Sequence, residues 1–400
     1  MRLDRSPLSR LVVIIPVLIA LTTLSTRLQA DTAICGGQSL TLPFTDVPPS
    51  NTFFCQIASA FFTGLTNGTS ATTYSPSIAV PREQMAAFIT RTLDQSLKRG
   101  SRKTVLDQFW MPQTANDLGI TDVGNGPALV KADGADVWVA NSVGNSISRV
   151  RGSDGKLLET WTGAMAATGV LVAKGRIFVT GSTSPNGSLY QIDPTQSVGP
   201  VTSVSTALGN LPRGIAYDGQ RIWTANSSSV SIITLNPVTV TNVSGFGVVG
   251  GAVYDGTSIW VTDDIAGMVD KLHKLDTDGS ILMSVDVGNL PGLPAFDGSN
   301  IWVPNINGDS ITVVRATGGL SGTVLATLTG NGLDAPNQAA FDGERILFTN
   351  IDGQSLSLWK ATDLTPIGTV PAGASPFGAC SDGVNFWITL SNPANKLARF

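Results

Sequence analysis

The residues of this chain best suited to bind or react stand at the ends of short β-branched and aromatic runs. Asn141, Asn226, Asp263 with Asp264, Asn305 and Asn350 each close such a run, and Arg213 lies in Leu211-Pro-Arg-Gly214 just ahead of another. If these ends converge on one face, a ring of amides with one guanidinium presents donors and acceptors that suit a sugar or a carboxylate. The alternative is that Asn and Asp bond to their own turns. Recurrence at one place in a repeat favours that alternative, because repeated geometry needs repeated turn chemistry. Asp263 with neighbouring carbonyls is a candidate calcium position, since calcium accepts six to eight oxygen ligands. No other cofactor is expected. Adjacent residues of a regular strand point to opposite faces, so Asp263 and Asp264 do not form a facing acid–base pair.

The usual machinery of enzymes is thin. His273, in Lys271-Leu-His-Lys274, is the one histidine of the sequence. It leaves no histidine-rich zinc site, and any Ser-His-Asp triad depends on it alone. Cys35, Cys55 and Cys380 are too scattered to replace a metal-binding set. No phosphate-binding loop, GxSxG elbow or CxxC occurs.

Seven copies of one phrase position these residues. They read PALVKADGADVWVAN, GVLVAKGRIFVTG, GIAYDGQRIWTAN, GAVYDGTSIWVTD, LPAFDGSNIWVPN, QAAFDGERILFTN and GACSDGVNFWITL. The turn glycines Gly134, Gly175, Gly219, Gly256, Gly298, Gly343 and Gly383 are spaced 41, 44, 37, 42, 45 and 40 residues apart. That is the length of a four-stranded propeller blade, about 40–45 residues. Asp-Gly between two apolar runs is a strong hairpin signal, because the favoured two-residue turns need positive φ. Third strands are expected at 146–150, 230–235, 269–275, 310–314 and 355–360. The aligned tryptophans Trp138, Trp223, Trp260, Trp302 and Trp387 are expected to pack between blades, with a stacking surface as the alternative. The Asp-Gly turns belong to the face opposite the strand-end amides. The last copy ends at Phe400 after its third strand, and 118–127 resembles the fourth strand and exit loop at 204–212. Residues 118–125 are therefore expected to pair with 395–400 and close a ring without an unpaired edge. The fold class is mainly β: a seven-bladed β-propeller over 112–400 behind a small α-helical module. A linear β-solenoid is the competing architecture, and it has no need of complementary ends.

Composition agrees with a large packed core. Hydrophobic residues make up 42 % and charged residues 14 %, with a net charge of −4. Residues 1–30 carry a basic start at Arg2, Arg5 and Arg10, an apolar run at 11–24 and a small residue at Ala30. This reads as a secretory signal peptide, the alternative being a retained N-terminal anchor. The run is short for a membrane span, which takes about 20 residues. Residues 1–30 hold four arginines and one aspartate, so the remainder has 21 basic and 28 acidic residues, a net −7. Such a surface argues against nucleic acid as a partner. In an oxidising compartment Cys35 and Cys55 can form a disulfide worth roughly 3 kcal/mol; the alternative is two separate thiols. Cys380 reads as a small buried residue of an inner strand.

Residues 41–95 differ in pattern. Phe53, Phe54, Ile57, Phe61, Phe62 and Leu65 recur at helical spacing. A second helix begins at Pro81, with Met85, Phe88, Ile89 and Leu93 on one face. A basic linker, 96–111, follows with Lys98, Arg99, Arg102 and Lys103, which suit either solvation near a helix end or contact with an anionic polymer.

Phe44-Thr-Asp-Val-Pro48, Gly64-Leu-Thr-Asn-Gly68, Tyr74-Ser-Pro76, Val80-Pro-Arg-Glu-Gln-Met-Ala-Ala-Phe88 and Arg91 together resemble an S-layer homology (SLH) motif over about 50 residues. In that family the motif tethers exported bacterial proteins to pyruvylated wall polymers or peptidoglycan, commonly with three motifs per groove; one is present in this chain. The family signature Thr-Arg-Ala-Glu falls on Pro81-Arg82-Glu83-Gln84, so the resemblance implies wall-polymer binding by Arg82. A guanidinium there suits an acidic sugar polymer, and a surface ion pair is its structural alternative. The repeats are similar to NHL and YVTN-type β-propellers of exported proteins. The resemblance implies a cell-envelope protein whose propeller is a scaffold for carbohydrate or protein partners. An exported lyase or hydrolase acting on a lactone or sugar is the alternative.

Overall fold

The computed structural model describes residues 31–35, 38–62, 66–82, 84–88, 119–373, 375–391 and 393–400. The expected signal at 1–30, the expected linker at 96–111 with its four basic residues, residues 112–118 and Arg91 lie outside the described residues. The chain divides into two compact units, Met1–Gln95 and Ser96–Phe400. Among the described residues no helix is long and apolar enough to cross a membrane.

The larger unit is a seven-bladed β-propeller: seven four-stranded antiparallel sheets, ordered from an inner to an outer strand. Blade 1 comprises Pro127–Ala132, Asp136–Asn141, Ser146–Arg151 and Leu157–Thr162. The third strands lie where the repeat predicts them, at Ser229–Leu235, Lys271–Leu275, Ser310–Arg315 and Ser355–Lys360 in blades 3 to 6. The second strand of blade 1 is buried along its whole length, whereas the fourth exposes Leu157, Thr160 and Thr162 and buries only Trp161. This follows from composition: Val137-Trp138-Val139 fits a surface covered on both faces, and Leu157-Leu-Glu-Thr160 does not.

Each inner hairpin is closed by a repeated polar device. In six blades the aspartate pairs with the residue three positions on, as in Asp133 N–H to Asp136 C=O at 2.9 Å. The two loop residues are therefore Gly and its successor, rather than Asp and Gly. Glycine takes the first loop position with φ of 85° to 106° in all six, as a type II′ turn requires. In blade 2, Lys174 and Gly175 both have positive φ (51° and 67°), the requirement of a type I′ turn. The carboxylate then does two jobs. Oδ1 accepts the amides two and three residues on, and Oδ2 accepts the indole N–H of the blade's tryptophan. The second contact is Trp138–Asp133, Trp223–Asp218, Trp260–Asp255, Trp302–Asp297 and Trp387–Asp382, at 2.7–2.8 Å. The pairing covaries within the chain. Blade 2 has Phe178 for the tryptophan and no aspartate. Blade 6 has Leu347, and Asp342 Oδ2 takes Arg345 Nε at 2.8 Å instead.

Seven apolar clusters fill the seven spaces between neighbouring blades. One sets Trp138 against Ala167, Val170 and Val179 of blade 2; another sets Trp387 and Leu397 of blade 7 against Val130 and Val139 of blade 1. The tryptophans are inter-blade packing, at most 1 % exposed. A belt of threonines joins blades near the axis. Thr262, Thr349 and Thr389 donate to Gly292, Phe377 and Ala128 C=O of the next blade at 2.8, 2.9 and 2.6 Å. The same hydroxyls accept Gly251, Gln338 and Gly378 N–H of their own inner strands.

Closure occurs as the repeat pattern predicts. Gly119–Asp122 pairs antiparallel with Lys396–Arg399, giving blade 7 its fourth strand. Asn395 Oδ1 accepts a bond from Gly126 N–H at 2.9 Å, and Lys396 forms an ion pair with Asp122.

The smaller unit starts with a hairpin the sequence pattern did not announce, Asp31–Cys35 with Gln38–Leu42. The helix Phe54–Phe62 buries Phe54, Ile57 and Ala58 against Leu42, Phe44 and Val47. Phe53 and Phe62 stay exposed. Cys35 and Cys55 form a disulfide that links hairpin to helix. Asp46 accepts Tyr74 and Ser75 N–H at 2.8 and 2.6 Å. Gly68 has φ of 77°, and a Cβ there would meet the Phe44 ring at 2.5 Å, so the loop needs glycine.

Two predictions follow from this architecture. Deleting 396–400 removes fully buried Leu397 and the partner of Gly119–Asp122. The loss of more than about 3 kcal/mol should lower the thermal midpoint by about 10 °C, and an unchanged midpoint contradicts closure. The turn carboxylates give the second. Burial works to raise the pKa of Asp133, Asp218 and Asp255, but the amide and indole donors outweigh it and hold them below 3.8. A depressed folded pKa stabilises above the unfolded value and is lost as pH falls through the folded one. Urea unfolding should therefore be level above about pH 5 and weaken below about pH 4, with a shallower slope in Asp218→Asn. An equal slope in that variant would remove Asp218 from the account.

Candidate functional site

Asn141, Asn226, Asn305 and Asn350 are completely buried. Each Nδ2 donates to two hydroxyls on the third strand of its own blade. Asn141 reaches Ser146 and Ser148 at 3.2 and 3.0 Å, and Asn226 reaches Ser229 and Ser231 at 3.1 and 2.9 Å. Asn305 bonds Ser310 and Thr312 at 3.1 and 3.0 Å, and Asn350 bonds Ser355 and Ser357 at 3.0 and 2.8 Å. The reading of these residues as an open binding ring on the axial face is corrected, and the alternative, that they serve their own local structure, holds. These groups tie second strands to third strands, because an amide buried inside a sheet must find its partners there.

Blade 4 replaces this lock. Asp263 stands in the asparagine position and His273 in place of the second hydroxyl, opposite Val261. Asp263 Oδ2 meets His273 Nε2 at 3.2 Å, and His273 Nδ1 meets Ser284 Oγ at 2.9 Å. Asp263 and His273 are buried, whereas Ser284 is exposed on the outer strand. Asp264 is directed elsewhere. Burial first, then Asp270 and Asp263, push its pKa up. Asp270 accepts Ile265 and Leu290 N–H, both at 2.8 Å. The calcium position expected at Asp263 is thus taken by an imidazole contact. Among the described residues no group of three or more His, Cys, Asp or Glu is placed to hold a metal ion.

Arg213 alone of the predicted residues points across the axis. Its Nη2 donates to Asn337 Oδ1 at 2.9 Å, and its guanidinium carbon lies 5.0 Å from the Phe377 ring centroid. Arg213 belongs to blade 3, Asn337 to blade 6 and Phe377 to blade 7, the two blades farthest from it around the ring. The strand registers place all three at one level, two residues before Ile215, Ala339 and Ala379. Asn337 is fully buried, and its Nδ2 donates to Phe377 C=O at 2.9 Å, which fixes the amide that holds the guanidinium. Among the described residues Arg213 has no carboxylate at ion-pair distance. Desolvation by burial draws its pKa below the ordinary arginine value, though the group remains a cation at neutral pH.

An axial cavity of about 330 Å³ begins at the next residue, Gly214, and runs toward the Asp-Gly turns. Leu129, Ile215, Leu293, Phe296 and Phe341 are among its walls, and its described lining includes Lys131 but no aspartate or glutamate. Cys380 also lines it. Burial pushes that thiol up to about 12, so it is an apolar wall and no nucleophile at neutral pH.

In the smaller unit Arg82 is exposed at the start of the helical stretch that continues over 84–88. Thr66, Asn67, Thr69, Tyr74, Ser75 and Gln84, with Ile78, Val80 and Phe88, are among the walls of a groove of about 650 Å³, whose described lining does not include Arg82 itself. Met85, expected on the buried face, is 48 % exposed.

Solved structures share the architecture. One is a chain of Kuenenia stuttgartiensis hydrazine synthase, 16 % identical, with a TM-score of 0.58, covering 70 % of this chain and 97 % of that one. At that identity the likeness is one of fold. Neither a protein-family model nor a curated protein sequence matches the chain.

Sequence reasoning missed Asn337, Phe377 and Ser284. A usable signal was present for the first two: at the level where blades 1, 2, 4 and 5 carry Ala128, Thr168, Gly250 and Gly292, blades 3, 6 and 7 carry larger groups. The asparagine lock is directly testable. Asn305→Ala leaves Ser310 and Thr312 without their buried donor and should cost about 1–3 kcal/mol in urea unfolding. A change below about 0.5 kcal/mol, the size seen at neutral surface sites, would contradict a structural role.

Proposed function

We propose that this is an exported bacterial cell-envelope protein. Its smaller unit associates with wall polysaccharide or peptidoglycan through Arg82 and the adjoining groove, and its propeller acts as a non-enzymatic scaffold for a further envelope component. The observation that carries the reading is a groove lined in part by Gln84, two residues on in sequence from the exposed Arg82. Hydroxyls, amides and one tyrosine on its walls are the groups that recognise sugars, and an exposed guanidinium adds bidentate affinity for an acidic polymer. The leader-like 1–30 and the SLH-like spacing support export and wall association.

A second reading, a hydrolase acting on a lactone or sugar ester, is favoured by one observation. Ser284, His273 and Asp263 are hydrogen-bonded in the serine–imidazole–carboxylate order of hydrolytic triads.

Co-sedimentation of the full chain with isolated bacterial envelope tests the first reading. Binding is expected to fall by about 3- to 10-fold in Arg82→Ala with Gln84→Ala, the loss of one or two polar contacts. Equal sedimentation of that variant, or none by the unaltered chain, contradicts wall association. Turnover of esters or lactones that is lost in Ser284→Ala and in His273→Ala would move the protein to the second reading.

A further inference from the structure

We propose that the axial channel binds a small organic carboxylate with an apolar body, its carboxylate received by Arg213. Three features of the site converge on that ligand. The first is an unneutralised charge. Arg213 has five N–H donors, and the protein supplies Asn337 Oδ1 as the acceptor for one of its nitrogens. Its own pairing partner is absent from the ring level: the groups facing it across the axis are an amide and a phenyl ring.

The second is preorganisation. Phe377 supports one face of the guanidinium, and Asn337 is itself anchored to Phe377 C=O. A planar fork held in this way loses little freedom when it takes a planar carboxylate in a bidentate contact. The third is the sign and character of the adjoining cavity. Its described walls set aliphatic and aromatic side chains such as Leu129, Ile215, Leu293, Phe296 and Phe341 among polar backbone groups, Gln338 and Ser381, it contains Lys131, and its described lining includes no aspartate or glutamate. An anion is therefore attracted into it although the chain as a whole is acidic. An apolar body gains from the walls, whereas a strongly hydrated dianion such as inorganic phosphate would lose its water without replacement.

No other blade carries a cation at this level; Ala128, Thr168, Gly250, Gly292, Asn337 and Phe377 hold the equivalent positions. The sevenfold pattern is broken where the ligand would sit, while the turn and strand locks repeat. The proposal rests on the binding-scaffold reading of the propeller and not on wall association. It is tested in solution without envelope, so the two fail separately.

The experiment is calorimetric titration of the full chain with sodium benzoate, with benzamide as the neutral isostere and inorganic phosphate as the apolar-free anion. Benzoate is expected to bind once per chain with Kd about 1 mM, as suits so small a ligand. Benzamide and phosphate should bind at least about 10-fold more weakly. Arg213→Lys, which keeps the charge and loses the fork, and Arg213→Gln should each weaken benzoate by about 10- to 100-fold. The comparison of benzoate with benzamide on the unaltered chain decides even if neither variant folds. Equal binding of benzoate and benzamide, no benzoate binding, or unchanged affinity in folded Arg213→Gln overturns the proposal.

Discussion

Burial between blades is the constraint on which this molecule depends. A four-stranded sheet covered on both faces must have a neighbour on each side, and in this unit other copies of the same repeat supply those neighbours. Seven apolar clusters, one between each pair of blades, meet that need. The last can form only if blade 7 is complete. Joining Gly119–Asp122 to Lys396–Arg399 therefore serves more than the hydrogen bonds of four residue pairs. It brings Trp387 and Leu397 against Val130 and Val139, and it lets Thr389 reach Ala128 C=O. The ring is cooperative for the same reason that it is closed.

Polar groups divide into those that repeat and those that do not. The turn aspartates, the strand-end asparagines and the belt threonines recur, and each holds strands or blades together, although Asn141 Oδ1 and Asn350 Oδ1 find no partner among the described residues. Repetition of this kind is the mark of structure, since each blade has the same orphan donors to satisfy. Arg213, Asp263, His273 and Ser284 break the pattern. In blade 4 the substituted groups bond one another, as Asp263–His273–Ser284, with Asp263 Oδ1 left without a partner among the described residues. Among the described residues, Arg213 leaves a cation at the axis with donors to spare. A fold that supports many functions places them where its symmetry is broken.

Much of this was legible in the sequence. The spacing of the Asp-Gly turns, the aligned tryptophans and the complementary ends predicted the blades, their packing and the closure, because each depends on neighbours close in sequence or on a period. The cysteine pair was legible as one of two alternatives. Of the two readings of the asparagines, recurrence favoured the structural one, and hydroxyls that recur on the following strand, at Ser146 and Ser148 after Asn141 and at Ser355 and Ser357 after Asn350, supply its partners. The contacts of Arg213 were out of reach. Its partner Asn337 lies 124 residues away, and only the curvature of the closed ring sets blade 3 opposite blades 6 and 7. The first hairpin of the smaller unit was missed because its strands are five residues each and stand next to the leader-like segment.

Hydrogen exchange at the two ends of the repeat array tests closure most directly. If the ring is joined as described, amides of Gly119–Asp122 and Lys396–Arg399 that pair across the joint exchange together, at the rate set by unfolding of the whole propeller. Exchange of 119–122 at the rate of free peptide, while 396–399 remains protected by its other neighbour Phe386–Leu390, would contradict the account.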